Sequence, residues 1–466
     1  MTTRRLPDRV RTACLATLAV ALPALWAAAS FASPATAQEG PTKDNTSNLQ
    51  RLKHVPLEVG PQFSRSDVEI EQELSRPFIY ASRIMNPTFG FDVISIEDPN
   101  NAEVIYEWRI EDAELHVGLG AMDPKYFKHD GRYYLVQSMQ FAPGGPDVDL
   151  GAVVFDVTSL PDVAGIREVG RMRAPDTPGG FHNIFMYKHS SGAPLLFATT
   201  SGQHANVYDM SLFIQGDSAQ GLVGRMPWPS TATPSPYGML QGYHDFYVAF
   251  DHSTGRDMAY GAGLDGYYVY DVTDPSAPVL ETSIVGVLGV QLAHTMSATP
   301  DHKYAVGQTE YLYSPVRLYD LQPGLSGEVE TINEEMSVWT PNWKGFTHNH
   351  EMRWPYVFVS SFEDGLYVFN MRDPANPSTV GYFDTFHGTP RRGLDPRTLG
   401  EGDTGFNGAW GIDVRNADGL IVVSDFTTGV HLMKLDGFDG WNGSDWGMPN
   451  VSSVQDWDNA PRRVIP

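Results

Sequence analysis

A strand, an Asp-Pro turn and a second strand recur along this 466-residue chain, and that recurrence limits what it can fold into more than any other feature. The clearest copies are Phe91-DVISIEDPNNAEVI, Gly266-YYVYDVTDPSAPVL and Gly365-LYVFNMRDPANPSTV. Ala152-VVFDVTSLPDVAGI, Ala205-NVYDM, Val316-RLYDLQPGLSG and Gly429-VHLMKLDGF are weaker ones. Upstream of each lies a further strand pair, for example Lys303-YAVG, Tyr356-VFVSS and Leu420-IVVSD. Alternation along each run, with Gly, Pro, Asn and Asp between runs, is the mark of strands joined by tight turns. Each unit thus holds four strands in roughly 40 to 60 residues, the span of one propeller blade. The repeats predict an all-β fold, a seven-bladed β-propeller of four-stranded blades over residues 66–438.

A ring of blades has to be closed. The last unit lacks an outer strand after Leu435, and a segment near residues 52–62, within an N-terminal extension of 38–65, is expected to supply it. Residues 38–50 and a C-terminal tail of 439–466 are rich in Asn, Asp, Ser and Gly and read as solvated. The insertion Trp228-PSTATPSPYGMLQG is expected to cap one mouth of the ring.

Residues 1–37 read as a secretory signal peptide: Arg4, Arg5, Arg9 and Arg11, then an apolar run from Ala13 to Ala32, then an Ala35-Thr36-Ala37 cleavage site. The expected location is periplasmic or secreted, with no integral membrane segment after the signal is removed. The only cysteine, Cys14, lies inside that segment, so disulfides, thiolate metal sites and cysteine nucleophiles are excluded from the mature chain. The formal charge of −24 argues against nucleic acid and anionic membranes as partners.

Four histidines, His182, His244, His294 and His348, fall roughly 50 to 60 residues apart, about one blade each. Each opens an inner strand, in Phe181-His182-Asn183, Tyr243-His244-Asp245, Ala293-His294-Thr295 and Thr347-His348-Asn349-His350. Equivalent positions on the inner strands of a propeller face one axis. Counting back along the hairpins places Asp123 and Trp410 in the same channel-lining ring. His350 follows His348 at a spacing of two, on the same strand face. The candidate metal ligands are therefore His182, His244, His294, His348 and His350. A four-nitrogen site without a carboxylate suits iron, copper or zinc better than calcium or magnesium. The competing reading is structural. An inner-strand histidine can hydrogen-bond the next blade's backbone from one nitrogen and accept at the other, and duplication would copy it from blade to blade.

The runs Tyr267-YVYDVTDPSAPVL and Leu366-YVFNMRDPANPSTV, with fainter copies across residues 90–435, resemble the LVIVD-repeat proteins, bacterial secreted or periplasmic propellers. The resemblance implies the fold and the compartment and assigns no reaction. Val316-RLYDLQPG departs from it by lacking the Asp-Pro turn.

No G-x-S-x-G elbow, H-E-x-x-H helix or calcium loop is present. Two classes of function remain. One is a metal-dependent oxidoreductase acting on a small molecule at the axial histidines. The other is a non-catalytic scaffold binding a protein or glycan at the propeller mouth. A polysaccharide lyase using Tyr243, Tyr247, Arg353 and Trp410 is a third, weaker alternative.

Overall fold

The computed structural model describes residues 45–56, 65–85, 87–229, 242–341, 346–386, 407–443 and 455–462. The expected signal peptide and most of the insertion after Trp228 lie outside these residues. Among the described residues the chain forms seven antiparallel sheets arranged as the blades of a β-propeller, with no helix long and apolar enough to cross a membrane.

Strand β1 (Leu49–Pro56) comes first and belongs to the last blade. Blade one is β2 (Arg65–Ile70), β3 (Phe78–Arg83), β4 (Gly90–Ser95) and β5 (Glu103–Arg109). Blade two is β6 (Gly118–His129), β7 (Arg132–Phe141), β8 (Leu150–Asp156) and β9 (Arg167–Arg173). Blade three is β10 (Ile184–Lys188), β11 (Pro194–Ala198), β12 (His204–Asp209) and β13 (Leu222–Pro227). Blade four is β14 (Tyr243–Asp251), β15 (Arg256–Gly263), β16 (Gly266–Asp271) and β17 (Val279–Val285). Blade five is β18 (Ala293–Ala298), β19 (Tyr304–Thr309), β20 (Val316–Asp320) and, after β21 (Thr331–Ile332), β22 (Ser337–Trp339). The short β21 pairs in parallel with β17 of the preceding blade. Blade six is β23 (His350–Arg353), β24 (Tyr356–Ser360), β25 (Leu366–Asn370) and β26 (Ser378–Phe383). Blade seven is β27 (Ala409–Val414), β28 (Ile421–Asp425) and β29 (Gly429–Leu435), with β1 antiparallel to β29 on its outside.

The repeated turn has one physical cause. Asp98, Asp274 and Asp373 each accept a hydrogen bond from the backbone N–H two residues on, at Asn100, Ser276 and Ala375. The Pro between fixes φ for the turn. The strand before it is buried on both faces, because each blade is sandwiched between two others. Along β16, Tyr267, Tyr268 and Val269 are all almost fully buried. The Tyr267 hydroxyl crosses to the next blade and donates to the Gln308 carbonyl at 2.7 Å. The core is therefore a wheel of inter-blade layers. One apolar cluster spans blades one to three, another three to five, a third five to seven, and a fourth joins seven to one.

Within the two terminal segments that composition marks as solvated, residues 45–50 and 455–462 pack against the blades. Thr46 N–H donates to the Tyr382 carbonyl, and Asn45 Oδ1 accepts from Asp384 N–H. Residues 455–462 lie against blades two, three and four. Composition reported their polarity; it carried no information about the partners that satisfy it.

Candidate metal centre

The inner strands begin with a local irregularity that aims one side chain at the axis. Pairing of β14 with β15 slips between Tyr243 and Asp245, that of β18 with β19 between Ala293 and Thr295, and that of β27 with β28 between Ala409 and Gly411. The residues left over are His244, His294 and Trp410. A bulge turns the extra residue out of the ladder and re-aims it. His182 and His348 stand just ahead of β10 and β23, held by His182 N–H to Thr199 Oγ1 and His348 N–H to the Ser360 carbonyl. In blades one and two the register shifts place Ser66 and Met122 there. Around the axis the layer thus reads Ser66, Met122, His182, His244, His294, His348, Trp410.

The four imidazoles are contiguous. Ring centroids are 4.4 Å apart for His182 and His244, 4.1 Å for His244 and His294, and 4.3 Å for His294 and His348. Trp410 covers the end of the row at 3.9 Å from His348. Beyond it Phe362, Phe426, Phe346, Met122 and Ile84 form an apolar cluster. Four of the seven positions in the layer are imidazoles, and Met122 and Trp410 join it to the apolar cluster.

Glu310, immediately after β19, completes the arrangement. Its carboxylate lies 3.9 Å from His244 Nε2, 3.8 Å from His294 Nε2 and 3.7 Å from His348 Nε2. His244, His294 and Glu310 each present a ligand atom within 4.8 Å of the others, a group that could hold a metal ion. Two donors each about 2.1 Å from a shared ion lie at most about 4.2 Å apart, and each histidine-to-Glu310 separation meets that bound. The other ring nitrogens set the tautomers at both ends of the row. His182 Nδ1 donates to Gln140 Oε1 at 2.7 Å and His348 Nδ1 to the Trp410 carbonyl at 3.0 Å, which leaves Nε2 free on each. His294 is 1 % exposed; its ring faces the backbone of His348 in the next blade, and its Nε2 is turned to Glu310.

Burial keeps these rings neutral, the form that binds metal. It lowers His182 to about 4 and holds His244, His294 and His348 well below the ordinary imidazole range. Burial also raises Glu310 to about 8.

The candidate residues divide as follows. The structure brings His182, His244, His294 and His348 into one layer with Trp410. His350 sits elsewhere, with Nε2 2.6 Å from Ser297 Oγ and Nδ1 donating to Gln308 Oε1. Both nitrogens are occupied between blades. Asp123 falls one layer below the histidines, because the slip in β6 takes up two residues and puts Met122 at the histidine position. Beside the expected all-nitrogen set the structure places a carboxylate, Glu310. It reaches the axis from the turn after the second strand of blade five, a place that alignment of inner strands does not sample. Its only trace in the sequence is a lone acid in an otherwise uncharged stretch, Gly307-QTEYLYS.

Below the histidines the next layer reads Asp67, Asp123, Asn183, Asp245, Thr295, Asn349 and Gly411. Asn349 Nδ2 donates to Asp67 Oδ2 at 3.0 Å, past blade seven, and a Cβ on Gly411 would stand 2.4 Å from Asp67 Oδ1. Deeper lie Glu69, Lys125 and Glu351, lining a small chamber of about 60 Å³, with Asp413 in the adjoining recess. Lys125 Nζ pairs with Asp123 Oδ1 at 2.7 Å and Glu69 at 3.5 Å. Burial and mutual repulsion raise Asp67 to about 8 and Asp413 to about 7.

These shifts carry a stability prediction. Unfolded aspartates lose their protons near pH 4, whereas Asp67 and Asp413 keep theirs to pH 7–8 in the folded chain. Folding therefore takes up protons in that window, and stability falls as pH rises through it, by about 1.4 kcal/mol per unit for each group that differs. Asp92 acts in the opposite sense. Despite its burial, Arg65, Arg109 and Arg83 hold its carboxyl below the usual range, so its contribution is lost as pH falls below about 4. Thermal melts across pH 3–9 should peak near pH 4–5. Asp67→Asn should flatten the alkaline limb and raise the melting temperature at pH 8; an unchanged limb would remove Asp67 from this account.

No protein-family model matches the chain, and no curated protein does. Among solved structures it is similar to Raptor of Chaetomium thermophilum, with a TM-score of 0.55 at 9 % identity over 84 % of this chain. The match spans 29 % of Raptor's length, and at that identity it shows the propeller fold alone. A protein of unknown function from Desulfotomaculum acetoxidans aligns at a TM-score of 0.43 and 13 % identity, over 71 % of this chain and 88 % of that one.

Proposed function

We propose that this propeller is an exported, metal-dependent oxidoreductase that works on a small molecule at a transition-metal ion on its axis. The observation that supports this most is the convergence of three Nε2 atoms on the Glu310 carboxylate. Two histidines and one carboxylate with positions left open is the ligand set of non-haem iron(II) oxygen chemistry. His244, His294 and Glu310 would hold the ion, with His348 and His182 beside them. The ion would supply redox or Lewis-acid chemistry to a small molecule bound beside these residues. Export is inferred from residues 1–37 and from the resemblance of the Asp-Pro repeats to LVIVD-repeat propellers.

The scaffold reading has the ring-to-backbone contacts in its favour: His348 Nδ1 bonds the Trp410 carbonyl, and His244 and His294 face the backbone of the next blade's histidine in the same way. Elemental analysis of untagged mature protein separates the two readings. Close to one equivalent of iron, or of copper or zinc, is expected. Protein that takes up no stoichiometric metal, even after anaerobic incubation with iron(II), is a scaffold, and its mouths should then be screened for protein and glycan partners.

A further inference from the structure

The acid end of the axial channel meets a segment that the propeller repeat does not explain. Residues 455–462 return from the far end of the chain to the last residues of three inner strands. Gln455 Nε2 donates to the Met186 carbonyl at 2.8 Å, and its Oε1 accepts from Lys188 N–H. Both contacts are with β10. Asp458 Oδ2 lies 2.7 Å from Lys128 Nζ on β6. The Arg462 carbonyl accepts from His252 Nδ1, just past β14, at 2.9 Å. Between these ties Trp457 turns inward. It is 8 % exposed and packs toward Phe127 with ring centroids 6.2 Å apart. Together with Glu69, Lys125, Phe185 and Asp413 it lines the recess at this mouth, and Glu69, Lys125 and Phe185 also line the acidic chamber.

The ties are of a kind that can be undone. Gln455 holds β10 by two hydrogen bonds, Arg462 holds His252 by one, and Asp458 makes an ion pair with a side chain 62 % exposed, a class worth under about 1 kcal/mol. Trp457 provides most of the buried apolar surface. A plug held by one indole and a few exposed polar contacts sits near the low end of local stability, where segments open without global unfolding.

We propose that Gln455–Arg462 is a releasable stopper: docked, it shuts the acidic chamber off from solvent at this mouth, and released, it opens a second way to the axial layers, opposite the Glu310 end. Small neutral solutes and, as the acids ionise above about pH 7–8, cations would use that path, since the carboxyl groups of Asp67, Glu69, Asp123, Asp245 and Glu351 line it against a single cation, Lys125.

Because the mature chain lacks cysteine, a single thiol can report on access. Ser297 lines the chamber, so Ser297→Cys places a reporter there with little change in volume, and Ser276→Cys gives an exposed control. The probe is a trimethylammonium methanethiosulfonate, read by intact mass. In the full chain the chamber thiol should react at least tenfold more slowly than with Trp457→Ala added, or with residues 455–466 removed, while the control reacts equally in all three. Asp458→Lys, which reverses the ion pair but keeps the indole, should give an intermediate rate. Equal chamber rates in all of these folded proteins overturn the proposal. A lowered melting temperature without faster labelling also overturns it, by making the segment a structural buttress. No metal is needed for this readout.

Discussion

Replacing His294 or Glu310 with alanine should reduce bound metal from about one equivalent to less than a tenth, with the propeller still folded. Loss of an outer partner that merely orients a ligand typically costs 10- to 100-fold in metal affinity, so removal of a direct ligand should cost more. His294 otherwise meets only the His348 backbone, and Glu310 is a desolvated acid raised to about 8. Neither is expected to contribute much to apo stability, and Glu310→Gln should leave the apo melting temperature unchanged or slightly higher. His350→Ala should behave in reverse. Metal content should stay near the parent value, while stability falls by about 1–3 kcal/mol because the polar atoms of Ser297 and Gln308 lose their partner. The measurement is metal stoichiometry and a melt on the same samples. If His350→Ala strips the ion and Glu310→Ala does not, the ligand assignment fails.

A still larger effect is expected from removing β1. Its residues Leu49 to Pro56 pair with Leu435 back to Gly429, and the chain runs from there into blade one. One strand therefore fastens the last blade to the first without a covalent link. Leu49 and Val55 are 2 % and 6 % exposed and belong to the cores on either side of that seam. A chain beginning at Arg65 would leave β29 as an open edge, a template for pairing with other chains. Loss of cooperative melting and association in size-exclusion chromatography are expected. Leu49→Ala with Val55→Ala, each costing roughly 1–5 kcal/mol by cavity formation, should lower the melting temperature and leave the chain monomeric. A truncated protein that melts within a few degrees of its parent would show that the seam contributes little.

The two results test different depths of what the residues reveal. The blade count was legible because the Asp-Pro turn is local: Asp98, Asp274 and Asp373 each bond a backbone N–H two residues away, and local chemistry survives in the sequence. The recurrence of His182, His244, His294 and His348 was legible for the same reason, since each opens a repeat. Depth along the axis was not. A slip of one residue decides whether Asp123 or Met122 stands level with the histidines, and slips are set by strand pairing rather than by the residues that slip. Spacing by two placed His350 on the same face as His348, yet His348 precedes the strand and His350 begins it, so the pleat does not relate them.

Glu310 shows where linear reading stops. Its partners are 66 residues before it, 16 before it and 38 after it, and the blades bring all of them to one side chain. The docking of Trp457 beside Phe127 is equally remote along the chain. The sequence by itself determined the all-β repeat, the seven units and the histidine in each of four of them, because turns, alternation and period are short-range properties. Only the tertiary structure decided which histidines face one another, that a carboxylate joins them, and that residues 45–50 and 455–462 pack against the blades, because those depend on strand register and on contacts between residues far apart in the chain.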